Sequence, residues 1–219
     1  MRMAFEVLDE HEQGELVRKW LRANALSIAI GIGIGLLLIF GFMQWKERQA
    51  RTNGEAATQF AAFTAALDAK QDDDAVRFAE VLRTDYAKSS YAVFAALRQA
   101  EAAVGKGDLD KADTDLDWAD KAASEPTLKS LVALRKARIS LAKGEAEKAL
   151  GQLDKVAKND FSALASELRG DTFAKLGRTD DARAAYADAL THLDPQSPNR
   201  SFVEMKLNDL PAAAEKQKS

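Results

Sequence analysis

Residues 106–116 read KGDLDKADTDL, residues 143–153 read KGEAEKALGQL and residues 176–186 read LGRTDDARAAY. The three share one phrase. Gly107, Gly144 and Gly177 lie 37 and 33 residues apart, and each is followed five positions later by Ala112, Ala149 and Ala182. Glycine takes the left-handed backbone conformation cheaply and so ends a helix, and the acidic or Thr residues behind it favour the next N-terminus. Alanine five positions on is small enough to let two helices touch. A weaker copy at 70–82, KQDDDAVRFAEVL, has Lys70 where the glycine would stand and Ala75 where the alanine would.

Outward from these turns, the chain from Glu55 onward is rich in Ala, Leu, Lys, Glu and Asp, with apolar residues at helical spacing and almost no β-branched runs, which predicts an all-α domain. The phrase divides it into about four helical hairpins, and a period near 34 resembles tetratricopeptide repeats. The last copy resembles that family most closely, with Gly170 inside its first helix, Tyr186 and Ala189 in its second and Pro195 just after. Elsewhere Ala, Leu or Ser stands where the family has large aromatic residues, so the repeats are degenerate. Ser201 and Glu204 spell a capping box opening a short helix with Phe202, Val203, Met205, Leu207 and Leu210, placed to cover the last open face of the stack. The expected soluble domain is 55–210, with a flexible tail at 211–219.

The first part of the chain differs sharply. No charged residue occurs between Arg22 and Lys46. At about 1.5 Å of rise per residue, such a run covers a hydrocarbon core of about 30 Å. Trp20 and Trp45 bracket it, where amphipathic rings settle among lipid headgroups. A cleaved signal peptide would need a shorter apolar core and a small-residue cleavage site, whereas this run ends in Phe42, Met43, Gln44 and Trp45. The expected division is a tail at 1–22, a single transmembrane helix at 23–45 and a linker or helix extension at 46–54, with Asn53 and Gly54 as a candidate break. Flanking positive charges nearly balance and leave the orientation open. Ala25, Ala29 and Gly33 form one row of small residues, and Ser27, Gly31 and Gly35 another. Such rows let a second helix approach closely, and the ordinary glycine content of membrane helices accounts for them equally well.

Composition excludes several functions. Thirty-one Lys plus Arg against 34 Asp plus Glu give a formal charge of -3 with interleaved signs, so no footprint for nucleic acid exists. Cysteine is absent, and His11 and His192 have no second ligand at metal spacing. Arg169, Gly170 and Asp171 spell an integrin-type tripeptide inside a predicted helix, where coincidence is the better account. The run Asp72 to Asp74 suits a helix N-terminus better than a cation site. With no phosphate loop, no nucleophile, base and acid grouping at plausible spacing and no carboxylate pair in an apolar setting, the expectation is a protein that is not an enzyme and has no catalytic residues, metal or cofactor.

Over nearly its whole length the chain resembles the YfgM-like ancillary subunits of the bacterial Sec translocon. The resemblance rests on RKWLRAN before the span, the glycine-rich span itself, the segment ASELRGDTFAKLGRTDDARAAYADAL and the terminal MKLNDL. It implies a single-pass protein of the bacterial inner membrane, with its N-terminus cytoplasmic and its repeats periplasmic. Implied partners are SecYEG, a PpiD-type periplasmic chaperone and nascent or unfolded secretory proteins, and the implied role is handover of newly translocated proteins. A repeat adaptor of another cell-envelope assembly or division complex is the alternative.

First helices of tetratricopeptide repeats line the concave side of the stack. Alignment on the glycines places Phe94, Leu97, Glu101, Leu131, Leu134, Arg138, Glu167 and Asp171 there as a candidate partner groove. Phe94, Leu97, Leu131 and Leu134 fit core positions equally well. The paired Lys and Asn of repeat proteins that clamp a C-terminal carboxylate are missing at the aligned positions, so a mixed apolar and charged groove is expected.

Overall fold

The computed structural model describes residues 10–211; the expected tail at 1–22 and the flexible tail at 211–219 lie partly outside them. Among the described residues the order is α1 (Glu10–Asp68), α2 (Asp72–Asp85), α3 (Ser90–Gly105), α4 (Leu109–Ala122), α5 (Pro126–Ala142), α6 (Ala146–Leu153), α7 (Ser162–Lys175), α8 (Thr179–Thr191) and α9 (Pro198–Asn208), with no strand. The chain divides into two units, one to Thr52 and one from Asn53 onward.

In the first unit one helix is long and apolar enough to cross a membrane. Its apolar side chains are uncovered by protein: Leu26 is 75% and Leu37 73% exposed. A helix that is apolar all round with nothing packed on it is not stable in water, and a bilayer supplies the missing cover. The Asn24 side-chain amide donates to the Trp20 carbonyl, so a polar group near the end of the run is satisfied within the helix.

In the second unit the repeated phrase becomes a repeated turn. Gly107, Gly144 and Gly177 take φ of 79°, 81° and 71°, and Lys70 at the matching position takes φ 56°. At each turn the N–H of this residue donates to the carbonyl three back, and the next N–H to the carbonyl five back, as in Gly107 to Val104 and Asp108 to Ala103. That is the Schellman pattern, which satisfies carbonyls orphaned at a helix end. Four hairpins follow: the end of α1 with α2, α3 with α4, α5 with α6, and α7 with α8. Ala112, Ala149 and Ala182 are fully buried, as the phrase required for helix contact.

The core is a chain of clusters, four of which bridge consecutive hairpins while another joins α8 to α9. Phe63 of α1 and Leu82 of α2 pack with Ala92 and Ala95 of α3, and further along Ala149 and Leu153 of α6 pack with Ala165 and Leu168 of α7. Neighbour-only packing of this kind defines a solenoid. Ion pairs repeat with it: Lys106 and Lys143, at one position of the phrase, reach back to Asp72 (2.8 Å) and Asp110 (2.7 Å) at the start of the preceding second helix.

The cap departs from expectation at its start. Pro198 occupies the first turn of α9, where its fixed φ suits the helix, so α9 begins before Ser201. The capping box therefore does not form: Ser201 Oγ donates to the Pro198 carbonyl and Glu204 pairs with Arg200 at 3.0 Å. Val203 is fully buried against α8, while Phe202 and Met205 stay 54% and 49% exposed.

Candidate partner-binding surface

Between α3 and α5 lies a cleft of about 240 Å3. Leu97, Glu101 and Val104 of α3 form one wall, and Arg135, Arg138 and Ile139 of α5 the other, with Ala100 and Leu116 at the floor. Spacings of three and four put each set on one face of its helix. Ala100, Leu116 and Ile139 also belong to the core cluster beneath, so the floor is rigid and apolar. The expected groove residues Leu97, Glu101 and Arg138 thus come together. Glu101 is held by Arg98 at 3.6 Å, whereas among the described residues neither Arg135 nor Arg138 has a partner.

The other expected groove residues lie elsewhere. Phe94 is 37% exposed and its ring centroid stands 6.3 Å from that of Phe60, so it packs on α1. Leu131 is half-buried against the cluster of Val93, Ala119 and Val132. Leu134, 5% exposed, is a core residue packed with Ala137 and Leu153. Alignment on the glycines does not single out Arg135, yet it stands three residues before Arg138, a helical spacing that places the two on one face.

Glu167 and Asp171 are already occupied. Lys206 of α9 donates to Glu167 (2.8 Å) and Asp171 (2.9 Å), and Tyr186 of α8 donates to Asp171 (2.7 Å). Burial alone would pull the Lys206 ammonium down, but these hydrogen bonds outweigh it and hold its pKa above the ordinary value. Burial, then the bond to Asp171, pushes the Tyr186 phenol far up. Gly170 explains why the tyrosine fits, because a Cβ there would overlap its ring. Arg169 donates to the Leu153 carbonyl at the end of α6 (3.0 Å), so all three residues of the integrin-type tripeptide hold the fold together.

A buried cation, Lys136, pairs with Asp117 (2.8 Å) and Asp120 (3.0 Å), and here too the partners prevail over burial to raise its pKa. The structure also gathers Ser166, Asp188 and His192 at a polar cleft, a grouping that sequence spacing did not reveal. Ser166 donates to Asp188, and His192 sits 3.8 Å from that same carboxylate. A nucleophile needs its base on the hydroxyl; here the carboxylate holds the hydroxyl and the imidazole stands beyond it.

On the apolar helix, a Cβ at Gly31, Gly33 or Gly35 would meet nothing within 4 Å, and Ala25 and Ala29 are exposed, so the small-residue rows are uncovered within the chain.

The family described as "Tetratricopeptide repeat-like domain" matches residues 18–212. Four curated relatives carry the name "Ancillary SecYEG translocon subunit". The protein of Haemophilus influenzae is 28% identical over 95% of this chain and 100% of its own length. That of Escherichia coli is 28% identical over 92% and 97%, and that of Neisseria gonorrhoeae 27% identical over 88% and 89%.

Proposed function

The chain belongs to the tetratricopeptide repeat-like domain family, and from that membership we propose that it is a membrane-anchored adaptor that binds proteins at the Sec translocon. The observation that carries this is the extent of the likeness. A relative named for the translocon is matched over its entire length, apolar helix and repeats together, rather than over a shared repeat module alone. In this reading the α1 span holds the chain in the bacterial inner membrane with the N-terminus cytoplasmic and the repeats periplasmic. The repeats bind partner proteins, among them a PpiD-type chaperone, and assist handover of newly translocated chains. The cleft between α3 and α5, rather than any catalytic arrangement, is the contact surface.

Purification of the tagged full chain in mild detergent tests it, with recovery of SecYEG subunits the expected result. Their consistent absence under conditions that keep SecYEG itself intact would remove the assignment in favour of another envelope complex. A reporter fused after Ser219 checks the orientation: activity confined to the cytoplasm would overturn it.

A further inference from the structure

The cleft between α3 and α5 has a chemistry more specific than a general protein-binding surface. Its floor is apolar, and an apolar cavity of about 150 Å3 holds a benzene ring, so 240 Å3 accommodates one aromatic side chain. On its α5 wall stand two guanidiniums, Arg135 and Arg138, three residues apart and without acidic partners among the described residues. The acid on the opposite wall, Glu101, is already shared with Arg98. The unbalanced charge of the cleft is therefore positive, and guanidinium forks favour carboxylates. A basic segment would be repelled there, and a wholly apolar one would leave both forks unused.

We propose that this cleft binds a linear peptide segment in which an aromatic side chain is flanked by carboxylates, the ring seated over Leu97 and Val104 and the carboxylates on Arg135 and Arg138. The inference rests on the adaptor reading above and names the kind of partner segment that the adaptor selects.

The test uses the full chain in detergent micelles and a short fluorescein-labelled peptide with one Phe between two Glu residues on a Gly and Ser background, read by anisotropy. Replacing the Phe by Ser, or both Glu by Lys, is expected to weaken binding about tenfold or more. The double variant Arg135→Glu/Arg138→Glu is expected to weaken the Glu peptide about tenfold, the size that two exposed ion pairs give. Lys121→Glu/Lys129→Glu makes the same change of net charge on exposed helix positions outside the cleft and should bind as the unmodified chain does. Equal binding of the Glu and Lys peptides, undiminished binding by the arginine variant, or an equal loss in the lysine control would each overturn the proposal. A chain that co-purifies with SecYEG subunits yet ignores the peptide loses the cleft proposal and keeps the adaptor reading. Peptide binding with this pattern and no SecYEG recovery does the reverse.

Discussion

Lys70 at φ 56° does the work of a glycine at the first hairpin turn. A side chain in the left-handed region costs about 1–2 kcal/mol, whereas glycine there costs little beyond its greater freedom when unfolded, about 0.4–1 kcal/mol. Lys70→Gly should therefore stabilise the repeats by about 0.5–1 kcal/mol. Gly144→Ala, at φ 81°, should destabilise them by about 1 kcal/mol. Denaturant unfolding of the full chain in detergent, followed by circular dichroism, measures both, and shifts of the same sign would contradict the argument. Gly170 has a different role, since its helical backbone is ordinary and its missing Cβ is what admits the Tyr186 ring. Gly170→Ala must displace that ring and should cost about 1–3 kcal/mol, the range for overpacking.

At the scale of elements, α9 is fastened by both burial and charge. Val203 fills the apolar face of α8, and Lys206 joins Glu167 and Asp171, the latter also bound by Tyr186. Lys206 and Tyr186 both have pKa values raised in the folded state. For each, the protonated form is the one that the fold favours. Its stabilisation is complete below the unfolded pKa and is lost as pH rises through the folded one. The cap should accordingly hold at neutral pH and loosen from about pH 10 upward. Hydrogen exchange of α9 amides across that range reads it out. The variant Lys206→Met/Tyr186→Phe should show a flatter pH profile than the unmodified chain, and an unchanged profile would mean that other groups control the cap. Sequence placed a helix here for its apolar residues, but the ionic half of the fastening joins residues 35 and 39 apart in sequence, beyond the reach of any local pattern.

For the whole molecule, the uncovered apolar side chains of the α1 span need a bilayer as their cover. Two arginines in the span, Ile34→Arg/Leu37→Arg, cost about 5 kcal/mol or more of insertion free energy at the helix centre. The unmodified chain should stay in the membrane fraction after an alkaline carbonate wash, and the variant should leave it. Retention of the variant would show that the repeats, not the span, hold the chain to the membrane. Gly31→Leu/Gly33→Leu/Gly35→Leu keeps the span apolar and removes the small-residue rows. It should leave the chain membrane-bound, and any loss of co-purifying membrane proteins would then report on helix contacts inside the bilayer.

By itself the sequence determined the helical hairpins, because their signals are local: a glycine that can turn left-handed, an acidic helix start and a small residue five positions on. It determined the apolar span for the same reason, since length and absence of charge need no tertiary partner. Which first-helix residues face a cleft was decided only by tertiary structure. Leu97 and Leu134 are both apolar residues in the middle of first helices, and only the packing of α5 on α6 and α7 sends Leu134 fully inward, while Leu97, half-buried on the clusters between α3 and α5, lines the cleft with Arg138. Glu167, Asp171 and Arg138 likewise read as equivalent charged positions until α9 supplies Lys206 to the carboxylates and leaves the guanidinium unpaired. Exposure and pairing belong to the sum of neighbours around a side chain, and in a solenoid those neighbours come from the adjacent repeat.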